Sequence, residues 1–428
     1  ALAQARDVPI VGVNHMVAHL EVGRHFSGFE APIGLNASGA NAHVLAFHDG
    51  RYRILGETMD TGVGNALDKF ARHVGWGHPG GPKIEEAAAD GSYLDLPYVV
   101  KGMDFSFAGI SSAANEAYDD GAAVEDICCG LQETVFGMLT EVTERALSLT
   151  DRSEVVLGGG VGQNARLQAM LSEMCGDRGA SFYAPEGRFL RDNAGMIAIL
   201  GAKMLAAGDT LPVDASRVDP DFRPDAVSVS WRESDAPRRP PASSEPIRGA
   251  EATVEIRADT VVKRRLPKPY RHPALDKRLR RERTAAEARL THESRRLGVP
   301  TPTIRDLDLA TGTIVFEAVG DHDLGATPTP ERVGTVAHHL ARLHDAGLVH
   351  GDPTTRNVRV DEHRVYLIDF GLGYHSADVE DYAMDIHVLE QSLAGTVASG
   401  HALLQAVEAA YGETGDPAVL DRLREIEA

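Results

Sequence analysis

Cysteine and long apolar runs are scarce in this chain of 428 residues, and each scarcity excludes a class of protein. The three cysteines, Cys128, Cys129 and Cys175, form no CxxC pair and no disulfide framework, so we expect core thiols in a reducing cytosol. The longest apolar run, residues 194–208, is interrupted by Lys203 and is too short to span a bilayer. Together with the lack of an opening signal peptide, these features predict a cytoplasmic protein without membrane contact.

Lysine is scarce as well, because it supplies only seven of the 43 basic residues and arginine supplies the other 36. Acidic residues number 63, which gives a formal net charge of -20. This composition is typical of a protein in concentrated salt, and a merely acidic mesophilic protein is the alternative. The charge argues against a surface that binds nucleic acid throughout. The one basic stretch, residues 257–296, has 14 Lys or Arg against 5 Asp or Glu and is either a solvated helix face or an RNA-facing surface.

The length of the chain predicts two or three domains, and its organisation favours two. In the first half, strand-like runs at 9–13, 32–36 and 44–47 alternate with a helix around 15–25, which is an α/β pattern. The prolines and serines of 233–246 cannot form a core element and indicate a linker. We therefore predict a first domain at 1–232, a linker at 233–247 and a second domain at 248–428.

The segment NHMVAH places His15 and His19 four residues apart, so both imidazoles project from one face of a helix and can share a cation. The spacing alone is a weak signal, because a chain with 18 histidines contains accidental pairs. A zinc protease needs a glutamate beside the first histidine as general base, and Met16 stands there instead. A metallopeptidase is therefore disfavoured.

Six further motifs follow in a fixed order within the first domain. They are SGANAH (38–43), ETMDTGVGNALDKFAR (57–72), GGPKIEEAA (80–88), DFSFAGISSA (104–113), GGGVGQNARL (158–167) and RDNAGMIA (191–198). This series resembles the universal tRNA threonylcarbamoyl-transferase family, in particular its archaeal branch in the KEOPS complex, over residues 1 to about 232. The resemblance implies an α/β fold of the actin-like ATPase type, which is a duplicated ribonuclease-H-like domain.

Members of that family hold an iron or zinc ion, and the resemblance assigns it to His15, His19 and Asp192 in this chain. Two imidazoles and one carboxylate leave coordination positions open, as a Lewis-acid site requires. The implied substrate is threonylcarbamoyl-AMP, whose carbamoyl carbon is attacked by the exocyclic amine of the adenine beside the tRNA anticodon.

The resemblance also assigns nucleotide contacts to Asp68, Gly81, Glu85 and Asn164. The two carboxylates can accept hydrogen bonds from ribose hydroxyls, and Gly81 allows close approach of the backbone. Taken alone, the glycines of GGGVG would suggest a Rossmann loop, but no adjoining βαβ unit with an acidic ribose ligand is evident.

Two features depart from the family pattern. Asn36 stands where archaeal relatives carry a metal-binding tyrosine, so it offers a weaker oxygen ligand or none, while Ser38 and Gly39 remain candidate substrate contacts. The first histidine motif follows a single expected strand, whereas the actin-like fold begins with a longer run of strands. We therefore expect an N-terminally truncated domain that is a poor transferase.

The second domain carries HGDPTTRN followed by DFG, a combination typical of phosphoryl transfer. Asp352 would orient the hydroxyl nucleophile, and Asn357 and Asp369 would hold magnesium. Upstream, Lys263 in VVKRR and Glu287 in an Arg-rich helix at about 273–297 are the expected ion pair that positions the ATP phosphates.

These motifs, together with residues 268–290, resemble the small atypical serine/threonine kinase of the KEOPS complex, which in some archaea is fused behind the transferase. The resemblance implies a small bilobal, kinase-like α+β domain that binds ATP and magnesium. Its glycine-rich loop is reduced to residues 249–252, in which Gly249 and Glu251 are the expected nucleotide contacts. His344, one turn before the catalytic loop, is expected to pack rather than to catalyse.

We therefore predict that the chain synthesises threonylcarbamoyladenosine in tRNA and carries a fused kinase or ATPase that regulates or supports the complex. The implied partners are tRNA, threonylcarbamoyl-AMP and the other KEOPS subunits. Two alternatives stay open. One is a metallopeptidase-like protein fused to a kinase. The other is an ATP-regulated scaffold without catalysis, which is favoured if Asn36 abolishes metal binding.

Overall fold

The structure, a computed structural model, describes residues 2–48, 50–219, 222–232, 247–396 and 400–427. The chain divides into two units. Unit 1 comprises Ala1–Pro241 and Lys268–Leu275, and unit 2 comprises Ala242–Pro267 and Asp276–Ala428. The predicted linker at 233–247 lies outside the described residues except for Ile247.

Unit 1 alternates strands and helices. Its helices are α1 (Leu2–Arg6), α2 (His15–Ser27), α3 (Val63–His73), α4 (Gly81–Ala88), α5 (Ala108–Asp119), α6 (Val124–Thr150), α7 (Ala165–Arg178), α8 (Gly187–Leu190) and α9 (Ala194–Ala206). Its strands are β1 (Ile33–Ala37), β2 (Ala42–His48), β3 (Arg51–Glu57), β4 (Val100–Lys101), β5 (Asp104–Phe105), β6 (Glu154–Gly158) and β7 (Ser181–Tyr183). Short 3-10 turns span Gly160–Gln163, Val213–Ala215 and Pro224–Ala226.

A five-stranded mixed sheet in the order β3-β2-β1-β6-β7 forms the centre of unit 1. The first three strands pair antiparallel, and β6 pairs parallel with both β1 and β7. Alternate residues enter different cores: in β2, Val44 and Ala46 join the cluster of α3 to α7, whereas Leu45 and Phe47 join that of α2 and α9. Helices thus cover both faces of the sheet, which confirms the α/β fold class.

The prediction of a first strand at 9–13 was wrong. Only Ile10 forms a bridge there, an antiparallel one with Leu211, so the run is an extended segment attached to the sequence beyond α9. The core position of Cys128 and Cys175 is confirmed, and burial raises the pKa of both thiols to about 12.

Lys268–Leu275, expected within the second domain, packs in unit 1 against the buried helix α6. Lys268 Nζ lies 2.5 Å from Glu144 Oε1, and the Tyr270 hydroxyl donates to Glu144 Oε2 at 3.0 Å. Arg271 pairs with Glu141. The motif therefore completes the core of unit 1, although it stands between the sequence segments of unit 2.

Unit 2 begins with strands and ends with helices. Its strands are β8 (Ile247–Arg248), β9 (Ala252–Ile256), β10 (Thr260–Arg265), β11 (Ile304–Asp308), β12 (Thr313–Glu317), β13 (His322–Asp323), β14 (Leu348–Val349), β15 (Val358–Val360), β16 (Val365–Leu367) and β17 (Tyr374–His375). Its helices are α10 (Pro273–Arg296, whose first three residues belong to unit 1), α11 (Pro330–Asp345), α12 (Val379–Thr396), α13 (Gly400–Thr414) and α14 (Pro417–Glu427), with 3-10 turns at Leu324–Ala326 and Thr355–Asn357.

The antiparallel sheet of unit 2 has the order β11-β12-β10-β9-β8. Ala288 of α10 packs with Ile314 and Phe316 of β12, while a larger cluster lies among α11 to α14. The packing role of His344 is confirmed, since its ring is buried between Tyr411 and Asp385 at 2.8 and 3.1 Å. Within the described residues, no helix has both the length and the apolarity needed to cross a membrane.

Candidate metal and nucleotide sites

The three candidate metal ligands lie near the starts of two capped helices, two of them on α2 and the third directly before the cap of α9. The side chain of Asn14 accepts hydrogen bonds from the amides of Met16 and Val17 at 3.1 Å each, so α2 begins at His15. Asn193 caps α9 in the same way through the amide of Met196, at 2.9 Å. The caps fix the start of each helix, and therefore the positions of His15 and His19 on α2 and of Asp192 directly before the Asn193 cap.

His15, His19 and Asp192 form a cluster whose ligand atoms all lie within 4.8 Å of one another. Nε2 of His15 is 3.1 Å and Nε2 of His19 is 3.2 Å from the same oxygen, Asp192 Oδ1. The side chain of His19 is 1% exposed, whereas those of His15 and Asp192 are 49% and 80% exposed. The cluster is thus anchored on its buried side and open to solvent on the other.

The electrostatics favour neutral imidazole at the buried histidine. Burial and the neighbouring His15 lower the pKa of His19, although the carboxylate of Asp192 raises it. A neutral imidazole is the form that binds a metal.

Glu21, which sequence reasoning did not single out, connects the two helices of the candidate metal site. It is fully buried in α2, and its carboxylate lies 2.6 Å from Lys203 Nζ in α9 and 2.9 Å from Arg24 Nε. It also accepts a hydrogen bond from the Tyr52 hydroxyl. This ion cluster ties the helix of His15 and His19 to the helix that follows Asp192.

Asn36 lies at the end of β1 and is 3% exposed. Its Nδ2 points to Met16 Sδ at 3.4 Å, and its Oδ1 is buried without a hydrogen-bond partner among the described residues. A Cβ at Gly159 would be 2.8 Å from that oxygen, so Oδ1 faces the glycine turn after β6.

The turn of Ser38 and Gly39 packs against the start of α3 through its backbone. The Ser38 carbonyl accepts from Gly64 N at 3.1 Å, and the Gly39 carbonyl accepts from Asn65 N at 2.9 Å. A Cβ at Gly62 would be 2.3 Å from the Gly39 oxygen, so only glycine allows this approach.

The four candidate nucleotide residues lie at or contact the starts of two helices. Asp68 contacts the start of α4, where Gly81 lies, and Glu85 and Asn164 contact the start of α7. Asp68 accepts from Gly80 N at 2.6 Å, directly before Gly81, around which a Cβ would find open space. Glu85 accepts from Ala165 N at 2.7 Å. Asn164 caps α7 through Arg166 N and Leu167 N and donates to Gln132 at 2.8 Å. Glu85 and Asn164 thus meet at the start of α7, and Asp68 shapes the start of α4.

In unit 2, Lys263 joins two carboxylates. Its Nζ lies 2.8 Å from Glu287 Oε1 and 2.6 Å from Asp369 Oδ1. Burial by itself would raise the pKa of Asp369, but Lys263 and Arg265 beside it lower that pKa to about 2. The candidate ion pair and the DFG aspartate therefore meet in one cluster.

The candidate catalytic loop is held in place by Asp385, a residue that its sequence context did not reveal. Asp385 accepts from the amides of His350 and Gly351 at 2.7 and 2.8 Å. Within the loop, Asn357 Nδ2 donates to Asp352 Oδ2 at 2.9 Å. Asp352 and Asn357 thus stand side by side.

The reduced glycine loop is a tight turn between β8 and β9. Gly249 N donates to the Ala252 carbonyl at 2.9 Å, and Glu251 pairs with Arg283 of α10 at 2.8 Å. Both residues lie in unit 2, as do Lys263 and Asp369.

Comparison with known proteins identifies the family of the chain. Residues 1–199 match the model of the tRNA N6-adenosine threonylcarbamoyltransferase family. A bifunctional tRNA threonylcarbamoyladenosine biosynthesis protein from Halobacterium salinarum is 65% identical over 428 residues, which is 100% of this chain and 80% of that protein. The chain belongs to this bifunctional family. A member from Methanospirillum hungatei is 50% identical over 431 residues, which is 100% of this chain and 82% of the relative.

Residues 1–199, which match the family model, contain all three candidate metal ligands. Unit 2, which begins at residue 242, is covered by the alignment with the Halobacterium salinarum protein. Among solved structures, full-length HypF in its phosphate- and nucleotide-bound form is similar with a TM-score of 0.40 and 16% identity, over 47% of this chain and 44% of that chain.

Proposed function

We propose that unit 1 transfers a threonylcarbamoyl group from threonylcarbamoyl-AMP to an adenine of tRNA, within the threonylcarbamoyladenosine synthesis that defines the family. The observation that carries the proposal is the convergence of His15 and His19 on one oxygen of Asp192. A cluster of two imidazoles and a carboxylate, open on one side, suits a reaction at a carbonyl.

The residues present fit an iron or zinc ion. Their three ligand atoms are close enough to share one cation, and the lowered pKa of His19 keeps a lone pair available. Bound there by His15, His19 and Asp192, such an ion would polarise the threonylcarbamoyl group. The exposure of Asp192 and His15 leaves room for substrate on the solvent side, and Ser38 and Gly39 are proposed substrate contacts.

The adenylate part of the substrate would bind between the starts of α4 and α7. Asp68 and Glu85 each bond one backbone amide there, and each carboxylate retains acceptor capacity for a ribose hydroxyl. Asn164 would act by fixing the start of α7, and Gly81 by leaving space for the ligand. The actin-like fold of unit 1 is part of this proposal. The predicted limits of the first domain (1–232), the linker (233–247) and the second domain (248–428) are part of it as well.

We further propose that unit 2 is a small bilobal kinase or ATPase. The cluster of Lys263, Glu287 and Asp369 supports this, because phosphoryl transfer needs a cation for the phosphates and carboxylates for magnesium. Asp352 would orient the attacking hydroxyl, Asn357 and Asp369 would hold magnesium, and Gly249 and Glu251 would lie over the nucleotide.

Contact with tRNA is proposed for one face of α10. Other KEOPS subunits would supply the remaining contacts with tRNA. Six basic or imidazole side chains are exposed within roughly a third of the helix circumference. They are Lys277, Arg281, Arg289, His292, Arg295 and Arg296. In a chain of net charge -20, such a stripe supplies the local positive charge that a phosphate backbone needs for binding.

The transferase proposal is tested by elemental analysis and by tRNA modification in His15→Ala, His19→Ala and Asp192→Ala. Each variant should lose bound iron or zinc and lose modification, with little change in stability, because one of three ligands is removed. Met16→Leu is the matched control on the same helix turn. Full metal retention in all three variants would exclude the site, and hydrolysis of peptides by the parent would favour the metallopeptidase alternative.

The kinase proposal is tested with Asp369→Ala in the chain that contains both units. ATP turnover should be abolished, because the carboxylate that holds magnesium is gone, while metal and adenylate binding in unit 1 should remain. Turnover at the parent rate in this variant, without a contaminating ATPase, would refute the assignment. Unchanged tRNA modification by an ATPase-dead chain would make the kinase regulatory rather than obligatory.

A further inference from the structure

Glu287 of α10 binds two cations from strand β10, and the second of them is Arg265. Lys263 and Arg265 stand two residues apart, so their side chains leave the same face of the strand. Lys263 Nζ lies 2.8 Å from Glu287 Oε1, and Arg265 Nη2 lies 2.5 Å from Glu287 Oε2. Each oxygen of the carboxylate therefore has its own cation.

The guanidinium of Arg265 also lies against the DFG segment. A Cβ at Gly371 would be 2.3 Å from Arg265 Nη2 and 3.1 Å from Asp369 Oδ1, so a side chain there would displace the guanidinium. Asp369 has φ +65°, a conformation that residues other than glycine rarely adopt. Arg265 thus occupies the space beside a backbone segment that is strained at its first residue.

Arg265 is almost fully buried, with 2% of its surface exposed. Its Nε and Nη1 have no hydrogen-bond partner among the described residues. Buried donors without acceptors destabilise a fold, and apolar side chains of similar size often replace buried ion pairs without loss of stability. Stability alone therefore does not account for an arginine at this position.

We propose that Arg265 is a positioning residue for phosphoryl transfer in unit 2, an inference that rests on the proposed kinase function. Lys263 bridges Glu287 and Asp369 in this structure. During phosphoryl transfer Asp369 is needed for magnesium and Lys263 for the phosphates. Arg265 keeps the second oxygen of Glu287 in place throughout, so that Glu287 continues to direct Lys263.

The test compares Arg265→Met and Arg265→Lys with Arg264→Met in the chain that contains both units. Arg264 is a matched control, because it lies in the same strand, carries the same charge and is exposed on the opposite face. ATP hydrolysis, the Kd for Mg·ATP and the thermal midpoint are measured for each variant.

Arg265→Met should lower kcat by about tenfold or more while KM and Kd for Mg·ATP change less than about threefold, because positioning acts on the transition state. Arg265→Lys should recover part of kcat, since lysine restores the charge without the planar fork. Arg264→Met should match the parent. A purely structural role predicts a different result, namely a lower midpoint with parent-like kcat per nucleotide-binding site.

A parent-like kcat in Arg265→Met overturns the inference when Asp369→Ala is inactive in the same assay. If Asp369→Ala is also active, the proposed kinase function itself fails, so the two failures are distinguishable. If Arg265→Met does not fold, Arg265→Lys decides. A lowered kcat with unchanged Kd and midpoint supports the positioning role, and a parent-like kcat overturns it.

Discussion

Replacing Glu21 by glutamine is expected to destabilise unit 1 and to loosen its metal site. Burial by itself raises the pKa of Glu21, but the hydrogen bonds and charges of Arg24 and Lys203 lower that pKa to about 2. The ordinary pKa of a glutamate side chain is 4.5, and each pKa unit corresponds to about 1.36 kcal/mol. The ionised side chain therefore contributes about 3 kcal/mol to the free energy of unfolding at neutral pH.

The pH dependence of this contribution follows from the direction of the pKa shift of Glu21. Because the folded-state pKa lies below the unfolded one, the contribution is present above about pH 4.5 and is lost as the pH falls towards about 2. For a domain of this size, a loss of 3 kcal/mol lowers the thermal midpoint by roughly 6–12 °C. Calorimetry of Glu21→Gln and parent should show this difference at pH 7 and a smaller one at about pH 3.

Metal titration gives the second measurement. Lys203 and Glu21 join the helix of His15 and His19 to the helix after Asp192, so the variant should bind iron or zinc more weakly. Glu186→Gln is the matched control, because the Glu186–Arg188 pair is 70% and 71% exposed and contributes at most about 1 kcal/mol. A midpoint no lower than that of the control, or a difference that does not shrink in acid, would refute the reasoning.

Two further predictions concern helix capping and salt. Asn164→Ala should destabilise unit 1 by about 1–2 kcal/mol in urea unfolding without nucleotide, because the cap of α7 and the hydrogen bond to Gln132 are lost. Asn164→Asp should restore the cap. If neither variant changes the free energy of unfolding, the capping role is contradicted. Molar KCl should raise the thermal midpoint, since counterions screen the repulsion among the 63 acidic side chains. A thermal midpoint that does not depend on KCl would count against adaptation to salt.

Local patterns in the sequence predicted most of the elements that carry the sites. In residues 154–175 an apolar run, a cluster of glycines and a helical pattern follow one another, and β6, the glycine turn and α7 have the same order. The Arg-rich helix expected at about 273–297 is α10. Such elements are predictable because caps, glycines and apolar periodicity act within a few residues.

Contacts between distant segments were not predictable in the same way. The run at 9–13 has the composition of a strand, but only Ile10 finds a partner, in Leu211 about 200 residues later. The motif at 268–275 resembles a kinase segment, yet its charges are satisfied by Glu141 and Glu144 of α6. A strand and a domain both depend on what packs against them, and that partner is absent from the local pattern.

Buried charges are an intermediate case, in which the sequence contains a signal without naming the partner. Glu21 follows Val17 by four residues and adjoins Leu20, so helical periodicity places a carboxylate on the apolar face of α2. Lys203, one of only seven lysines, interrupts the most apolar run of the chain. A buried charge needs a partner of opposite sign, so each interruption predicts that a partner exists, and the fold supplies it by packing α2 beside α9. The 2.6 Å contact between them shows that a charge standing where the pattern requires an apolar residue is itself evidence for a long-range ion pair.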